Sequence, residues 1–223
     1  MVFHATLESP LGDILLCAEA SRLCGLHFVG EPDCPVAPGL PRPRRRAARP
    51  SEGSVDGQPI RNLKVCQPQP GSPPGAQLAH RHPLPVSLPT PKAGALRLLE
   101  ADTPTAVKTL FHTVQMQLDD YFAGHRKVFD LPLAMHGTAF QKRIWDALLT
   151  IPYGTVVSYG DVACTAGFTS RYGRPAGAAV GHNPITIVVP CHRVVASSHA
   201  LTGYTGGLRR KLALLELEGL ALH

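Results

Sequence analysis

Apolar and polar positions alternate through the first stretch of the chain, a period that belongs to half-buried strands. Phe3-His4-Ala5-Thr6-Leu7 and Asp13-Ile14-Leu15-Leu16-Cys17 flank the turn residues Ser9-Pro10-Leu11-Gly12, and Leu23 to Val29 forms a third run. The period then lengthens to that of a helix. Behind Thr103-Pro104, a cap followed by proline at the first helical position, Val107, Leu110, Phe111, Val114, Leu118 and Tyr121 form a core-facing stripe. A second helix opens at Thr138, where Gln141 completes a capping box, and presents Phe140, Ile144, Leu148 and Ile151 until Pro152 ends it. Tyr159 to Gly167 reads as a short helix, Phe168 to Gly173 as a turn, and Pro175 to Gly181 as another short helix, together a helix-turn-helix. Ile185-Thr186-Ile187-Val188-Val189, β-branched and set between Pro184 and Pro190, predicts a buried strand ending at Cys191. The expected fold class is α/β in the α+β sense. A small N-terminal strand-and-helix domain (1–30 and 93–133) precedes a mainly helical C-terminal domain (137–223) that holds the helix-turn-helix and a short active-site strand.

Composition interrupts this picture in the middle. Residues 31–92 hold 15 of the 22 prolines and few apolar residues, which predicts a disordered insertion. The net charge of +6 divides as −2 over 1–30, +5 over 31–92 and +3 over 93–223. The balance suits a polyanionic partner, but the excess lies in the insertion, where the Arg44–Arg46 run reads as a solvated segment. Six scattered cysteines argue against a disulfide framework and for a reducing compartment: cytoplasm, or nucleus if the source is eukaryotic. No apolar run reaches membrane length and no signal-peptide pattern opens the chain, so no membrane partner is expected. His4, Cys17, Cys24 and His27 lack a compact ligand spacing and read as packing, so neither metal nor cofactor is expected.

The chemistry concentrates at Pro190-Cys191-His192-Arg193-Val194. A thiol at a rigid strand end beside an imidazole and a guanidinium has the neighbours it needs to ionise. His192 is the candidate base. The helix Ala176-Gly177-Ala178-Ala179-Val180-Gly181 carries no group able to read base edges. Small residues instead allow close approach of its backbone, to a target or to another helix.

These segments resemble the O6-alkylguanine-DNA alkyltransferases. The Pro190–Val194 signature, Gly154-Thr155-Val156-Val157-Ser158-Tyr159-Gly160-Asp161-Val162-Ala163, Gly181-His182-Asn183-Pro184, Gly203-Tyr204-Thr205-Gly206-Gly207-Leu208 and Leu215-Glu216-Leu217-Glu218-Gly219 match the family pattern in order and spacing. The resemblance is dense over 137–219 and looser over 1–30 and 104–133. It implies direct DNA repair: irreversible single-turnover transfer of a methyl or small alkyl group from O6-alkylguanine, or O4-alkylthymine, to Cys191 after base flipping. It implies His192, reaching the thiol through water, with Glu218 orienting the imidazole, and Tyr159 donating to guanine N3. It implies substrate contacts from Arg174, Asn183, Pro184, Gly203, Tyr204 and Thr205. It places Ala176, Gly177, Ala179, Val180 and Gly181 in the minor groove of double-stranded DNA, without sequence preference, bound by a monomer. Arg174 is the residue implied to fill the space of the extruded base. Arg171 competes, because the loop is one residue longer than the family spacing and Pro175 follows Arg174. Tyr204 is either pocket wall or core, and Arg193 is a structural anchor. Asn183 is read as tying the second short helix to the active-site strand through side-chain to backbone bonds. No group regenerates a thioether, so the protein is expected to act once. The alternative is a non-catalytic protein that binds alkylated DNA and flags it for another pathway.

Overall fold

The computed structural model describes residues 1–40 and 95–222, with the backbone of three two-residue strands between them. The strands are β1 (Val2–Leu7), β2 (Ile14–Glu19), β3 (Arg22–Phe28), β4 (Ser54–Val55), β5 (Gln58–Pro59), β6 (Val65–Cys66) and β7 (Leu96–Leu98), then β8 (Val157–Ser158), β9 (Val194–Val195) and β10 (Ala221–Leu222). The helices are α1 (Thr105–Phe122), α2 (Ala139–Leu149), α3 (Tyr159–Thr165), α4 (Gly173–Gly181) and α5 (Leu208–Leu217).

The alternating N-terminal pattern folds into an antiparallel sheet of order β3-β2-β1-β7. Strands β1 and β2 pair from Val2↔Glu19 to Leu7↔Ile14, which sends Ala5, Leu7, Ile14 and Leu16 into the core. The stripe of α1 packs on that face: Phe111, Val114, Leu118 and Tyr121 are all fully buried. The start of α1 differs from expectation. The flanking residue is Pro104, whose side chain cannot cap, and the Thr103 hydroxyl donates to the Glu100 carbonyl at 2.7 Å to close the preceding turn. The capping box at the start of α2 is present as expected, with Thr138 and Gln141 each bonding the other's backbone N–H.

Residues 31–40, inside the predicted insertion, are ordered against the sheet. Cys34 and Ala37 are buried beside Leu15 and Cys17. Strands β4 and β5 pair with each other, and β6 pairs with β10. The rest of the predicted insertion lies outside the described residues.

One apolar core runs through both halves of the chain, from Ala5 and Leu7 to Val188, Cys191 and Leu214. Strand β3 joins them along its outer edge. Leu23 N–H donates to Pro132 O at 2.8 Å and Leu26 N–H to Pro184 O at 2.9 Å, and Thr186 N–H returns to Leu26 O at 3.0 Å. Arg210 of α5 adds a second tie, reaching Leu11 O, the Glu31 carboxylate and Gly206 O while lying over the Phe28 ring.

The predicted strand at Ile185–Val189 is not formed. Ile185 makes a single bridge to Leu26, and tight turns follow, with Val189 N–H to Ile185 O at 2.9 Å and Cys191 N–H to Val189 O at 2.8 Å. Ile187 takes φ +71°, a conformation that β-branched residues avoid and that persists only where the surroundings impose it. They do so here: Asn183 accepts from Ile185 N–H and donates to Val189 O, supplying partners that a neighbouring strand would otherwise supply. The β-branched run is buried as expected, but it wraps the site as turns. The strand comes after the cysteine instead, where β9 pairs with β8 in parallel.

Candidate functional site

Cys191, His192 and Arg193 form one 3-10 turn, and all three are buried. The Cys191 Sγ accepts from Asn183 Nδ2 at 3.1 Å, and the same amide donates to Val189 O at 2.7 Å. Asn183 thus ties the end of α4 to the active-site segment through the backbone, as the sequence suggested, although that segment is a turn and not a strand, and it holds the sulfur as well. Burial pushes the thiol pKa up, although the Asn183 bond, the Lys211 charge and local backbone N–H groups work against it. At rest the group is a thiol surrounded by donors arranged for a thiolate.

His192 is fully buried, and its Nε2 lies 2.9 Å from Glu218 Oε1. An ionised carboxylate only accepts, so Nε2 carries the proton and Nδ1 keeps its lone pair. That Nδ1 is a buried nitrogen without a hydrogen-bond partner. Burial lowers the His192 pKa against the pull of Glu218, so the ring is neutral near pH 7 and able to take a proton at Nδ1.

Glu218 is no solvated terminal glutamate. Its carboxylate accepts from Tyr121 OH at 2.8 Å, from His192, from Gly154 N–H at 3.0 Å, and from Arg193 Nε and Nη2 at 2.9 Å each. Burial alone would raise its pKa, but the bonds and charges of His192 and Arg193 outweigh burial and hold it at about 2. Arg193 also donates to Ile151 O at 2.6 Å, which makes it the structural anchor expected from sequence.

Tyr159 is the first residue of α3, set there by the Ser158–Asp161 capping box. Its hydroxyl lies 3.2 Å from Thr202 Oγ1, and burial, with the Cys191 charge, raises its pKa and keeps it a donor. Gly177 of α4 lies against the Tyr159 ring: a Cβ there would sit 3.4 Å from Cδ1. Thr205 donates to Gly181 O at 2.9 Å, linking the 203–207 loop to the end of α4. Gly203 is exposed. The Tyr204 ring packs between the main core and a second apolar cluster around Val156, Leu201 and Leu212, and its hydroxyl is buried without a partner. Pro184 is half-buried, its carbonyl bonded to β3.

The face of α4 differs from the sequence assignment. Ala176, Ala179 and Val180 point inward at 0%, 3% and 5% exposure, and Trp145 Nε1 donates to Ala179 O at 2.9 Å. Those three small side chains seat the helix on its neighbours. The outward surface consists of Arg174, Pro175, Ala178 and Gly181, with Gly177 half-buried beside Tyr159. Both candidate arginines are exposed, Arg174 in the first turn of α4 and Arg171 in the 3-10 turn before it.

Two residues of the site carry no motif that marks them in the sequence. Tyr121 belongs by periodicity to the core stripe of α1 alone. Lys211 is fully buried and donates from Nζ to Val194 O at 2.5 Å and Thr202 O at 2.8 Å; burial lowers its pKa to about 8. A lysine inside the apolar stripe Leu208-Leu212-Leu215 was the signal for it. Among the described residues no group of three or more His, Cys, Asp or Glu is placed to share a metal ion, and His4 bonds Glu100 at 2.7 Å.

Residues 139–220 match the DNA-binding domain of 6-O-methylguanine DNA methyltransferase. A methylated-DNA–protein-cysteine methyltransferase of Mycobacterium tuberculosis is 57% identical over 102 residues, 46% of this chain and 61% of that relative. One of Methanosarcina acetivorans is 49% identical over 109 residues, 49% of this chain and 69% of the relative. The alignment therefore spans less than two thirds of the mycobacterial relative and slightly more of the archaeal one. The crystal structure of the M. tuberculosis O6-methylguanine methyltransferase superposes with a TM-score of 0.58 at 32% identity, covering 98% of this chain and 93% of that one. That of M. tuberculosis OGT in complex with DNA gives 0.60 at 33% identity, covering 97% and 92%.

Proposed function

Since the chain belongs to the 6-O-methylguanine DNA methyltransferase family, we propose that it repairs alkylated DNA directly, moving a methyl or small alkyl group from guanine O6 to Cys191. The observation that carries this reading is the buried Cys191–His192–Glu218 arrangement, in which the imidazole presents a free Nδ1 and its other nitrogen is fixed by a carboxylate. In the reaction the Cys191 proton passes through water to His192 Nδ1, and the sulfur attacks the alkyl carbon. The S–C bond forms as the C–O6 bond breaks, and the electron pair leaves with guanine. Tyr159 donates toward guanine N3 as charge builds there, and the proton lost from the thiol balances the departing base. Asn183, Lys211 and the turn amides support the transient thiolate.

The partner is double-stranded DNA, met by the outward face of α4. A surface of glycine, alanine and proline permits close backbone approach and reads no base edge, which suits lesion search at any sequence. Arg174, at the exposed start of that helix, takes the place of the extruded base, with Thr205 and Tyr204 bounding the flipped guanine. The protein works as a monomer and is consumed, because a thioether is not reversed by thiol exchange.

A single-turnover assay with a duplex labelled on the methyl of O6-methylguanine tests this. Up to one equivalent of label should appear on the peptide containing Cys191. Duplex binding without transfer would instead favour a lesion-binding protein. Arg174→Ala should slow transfer by about tenfold to a hundredfold, since extrusion costs a few kcal/mol that the guanidinium partly offsets. Transfer from the free alkylated base should be unaffected, and an equal loss on both substrates would remove Arg174 from the flipping step.

A further inference from the structure

Tyr121 lies in α1 of the N-terminal half, and the helical stripe there would be equally well filled by phenylalanine. Its hydroxyl adds one bond, which runs 2.8 Å to Glu218 Oε1, 97 residues away. That oxygen is the one that accepts from His192 Nε2 at 2.9 Å and from Arg193 Nη2 at 2.9 Å. We propose that Tyr121 is a positioning residue for the transfer reaction: its phenol fixes the Glu218 carboxylate and limits how strongly that oxygen draws the His192 proton. The N-terminal half thereby sets the basicity of the active-site histidine. This rests on the alkyl-transfer reading above.

Three features support the assignment. The ring cannot swing away, being fully buried against Phe122, Phe129 and Tyr153 at centroid distances of 5.6, 5.3 and 6.2 Å. The proton is permanent, because burial and the adjacent Glu218 charge hold the phenol well above its ordinary pKa. The third feature is charge. The groups facing the imidazole are Lys211 from α5, Glu218 just past the end of that helix, and Arg193 from its own turn; Tyr121 from α1 and Tyr153 from the segment after α2 face the carboxylate behind it. Arg193 and Lys211 already oppose a charged His192. A further cation on Glu218 would suppress the base more, whereas a neutral donor occupies the carboxylate oxygen without adding charge.

The test uses the full chain in the single-turnover assay across the acid limb of its pH profile. In Tyr121→Phe the carboxylate draws the imidazole proton harder, so the His192 pKa rises and the acid limb moves up by about half a pH unit. The plateau rate falls by about tenfold as the carboxylate loses an anchor. Replacing Tyr121 with 3-fluorotyrosine keeps ring and hydroxyl but strengthens the donor, and should move the limb the opposite way. Profiles superimposable on the unsubstituted protein overturn the proposal. If Tyr121→Phe does not fold, the fluorotyrosine protein decides alone. If the unsubstituted protein transfers no methyl at all, the transfer reading fails separately; NMR titration of His192, unmoved by fluorination, would then be what overturns this inference.

Discussion

Cys191→Ser is expected to bind a duplex containing O6-methylguanine as tightly as the unsubstituted protein while transferring no measurable label, a loss of more than about a thousandfold. The substitution exchanges one atom in a buried turn. The serine oxygen can still accept from Asn183 Nδ2, and the outward face of α4 is untouched, so fold and DNA binding have no reason to change. The chemistry does change. A thiol is acidic enough for a neutral imidazole to deprotonate, whereas an alcohol in the same place is not, and displacement at carbon needs the anion. Among the described residues the other cysteines offer no substitute: burial pushes Cys17 up to about 12 and also raises Cys24 and Cys34, and Cys164, though exposed, sits on α3 outside the donor set that surrounds Cys191. Label transferred at an unchanged rate would mean that Cys191 is not the acceptor. Loss of binding together with loss of transfer would mean that the thiol helps hold the lesion.

Much of this site was legible in the sequence because its parts are local. A cysteine next to a histidine, a short helix opening at Tyr159, and an asparagine a few residues before the segment it ties are all short-range relations. The three N-terminal strands and the α1 stripe follow from periodicity for the same reason. The failures are tertiary. The run Ile185–Val189 has the composition of a strand, but Asn183 supplies its hydrogen-bond partners and β3 takes only Ile185 and its neighbours. Which residues of α4 face outward depends on where Trp145 and Tyr159 stand, so the resemblance that places Ala176, Ala179 and Val180 at the groove does not reveal that their side chains seat the helix on its neighbours. Tyr121 reaches Glu218 across 97 residues, a relation that no periodicity records. The same distance explains why the N-terminal half, whose motifs say nothing of chemistry, helps build the active site.

Glu218→Gln should cost both rate and fold, and pH separates the two losses. In the native protein the carboxyl is held at about 2, against an ordinary value of 4.5, chiefly because His192 and Arg193 overcome its burial. A displacement of that size corresponds to about 3 kcal/mol of stability. The variant leaves Arg193, 6% exposed, without its counter-charge, and breaking a buried pair in this way costs about 3–5 kcal/mol, in agreement. The folded pKa lies below the unfolded one, so the stabilisation is complete above about pH 4.5 and drains as pH falls toward 2. Denaturant melts should therefore show a stability gap between the two proteins that is full at neutral pH and closes in acid. A gap that stays constant across that window would mean that the carboxylate charge is not what stabilises the fold. In mild conditions, where both proteins remain folded, transfer should be slower by about a hundredfold or more, because the amide cannot balance the imidazolium formed when the Cys191 proton arrives. One carboxylate serves both ends. The arginine that keeps Glu218 ionised secures the turn carrying Cys191, and the ionised Glu218 is what lets a buried, neutral His192 accept a proton.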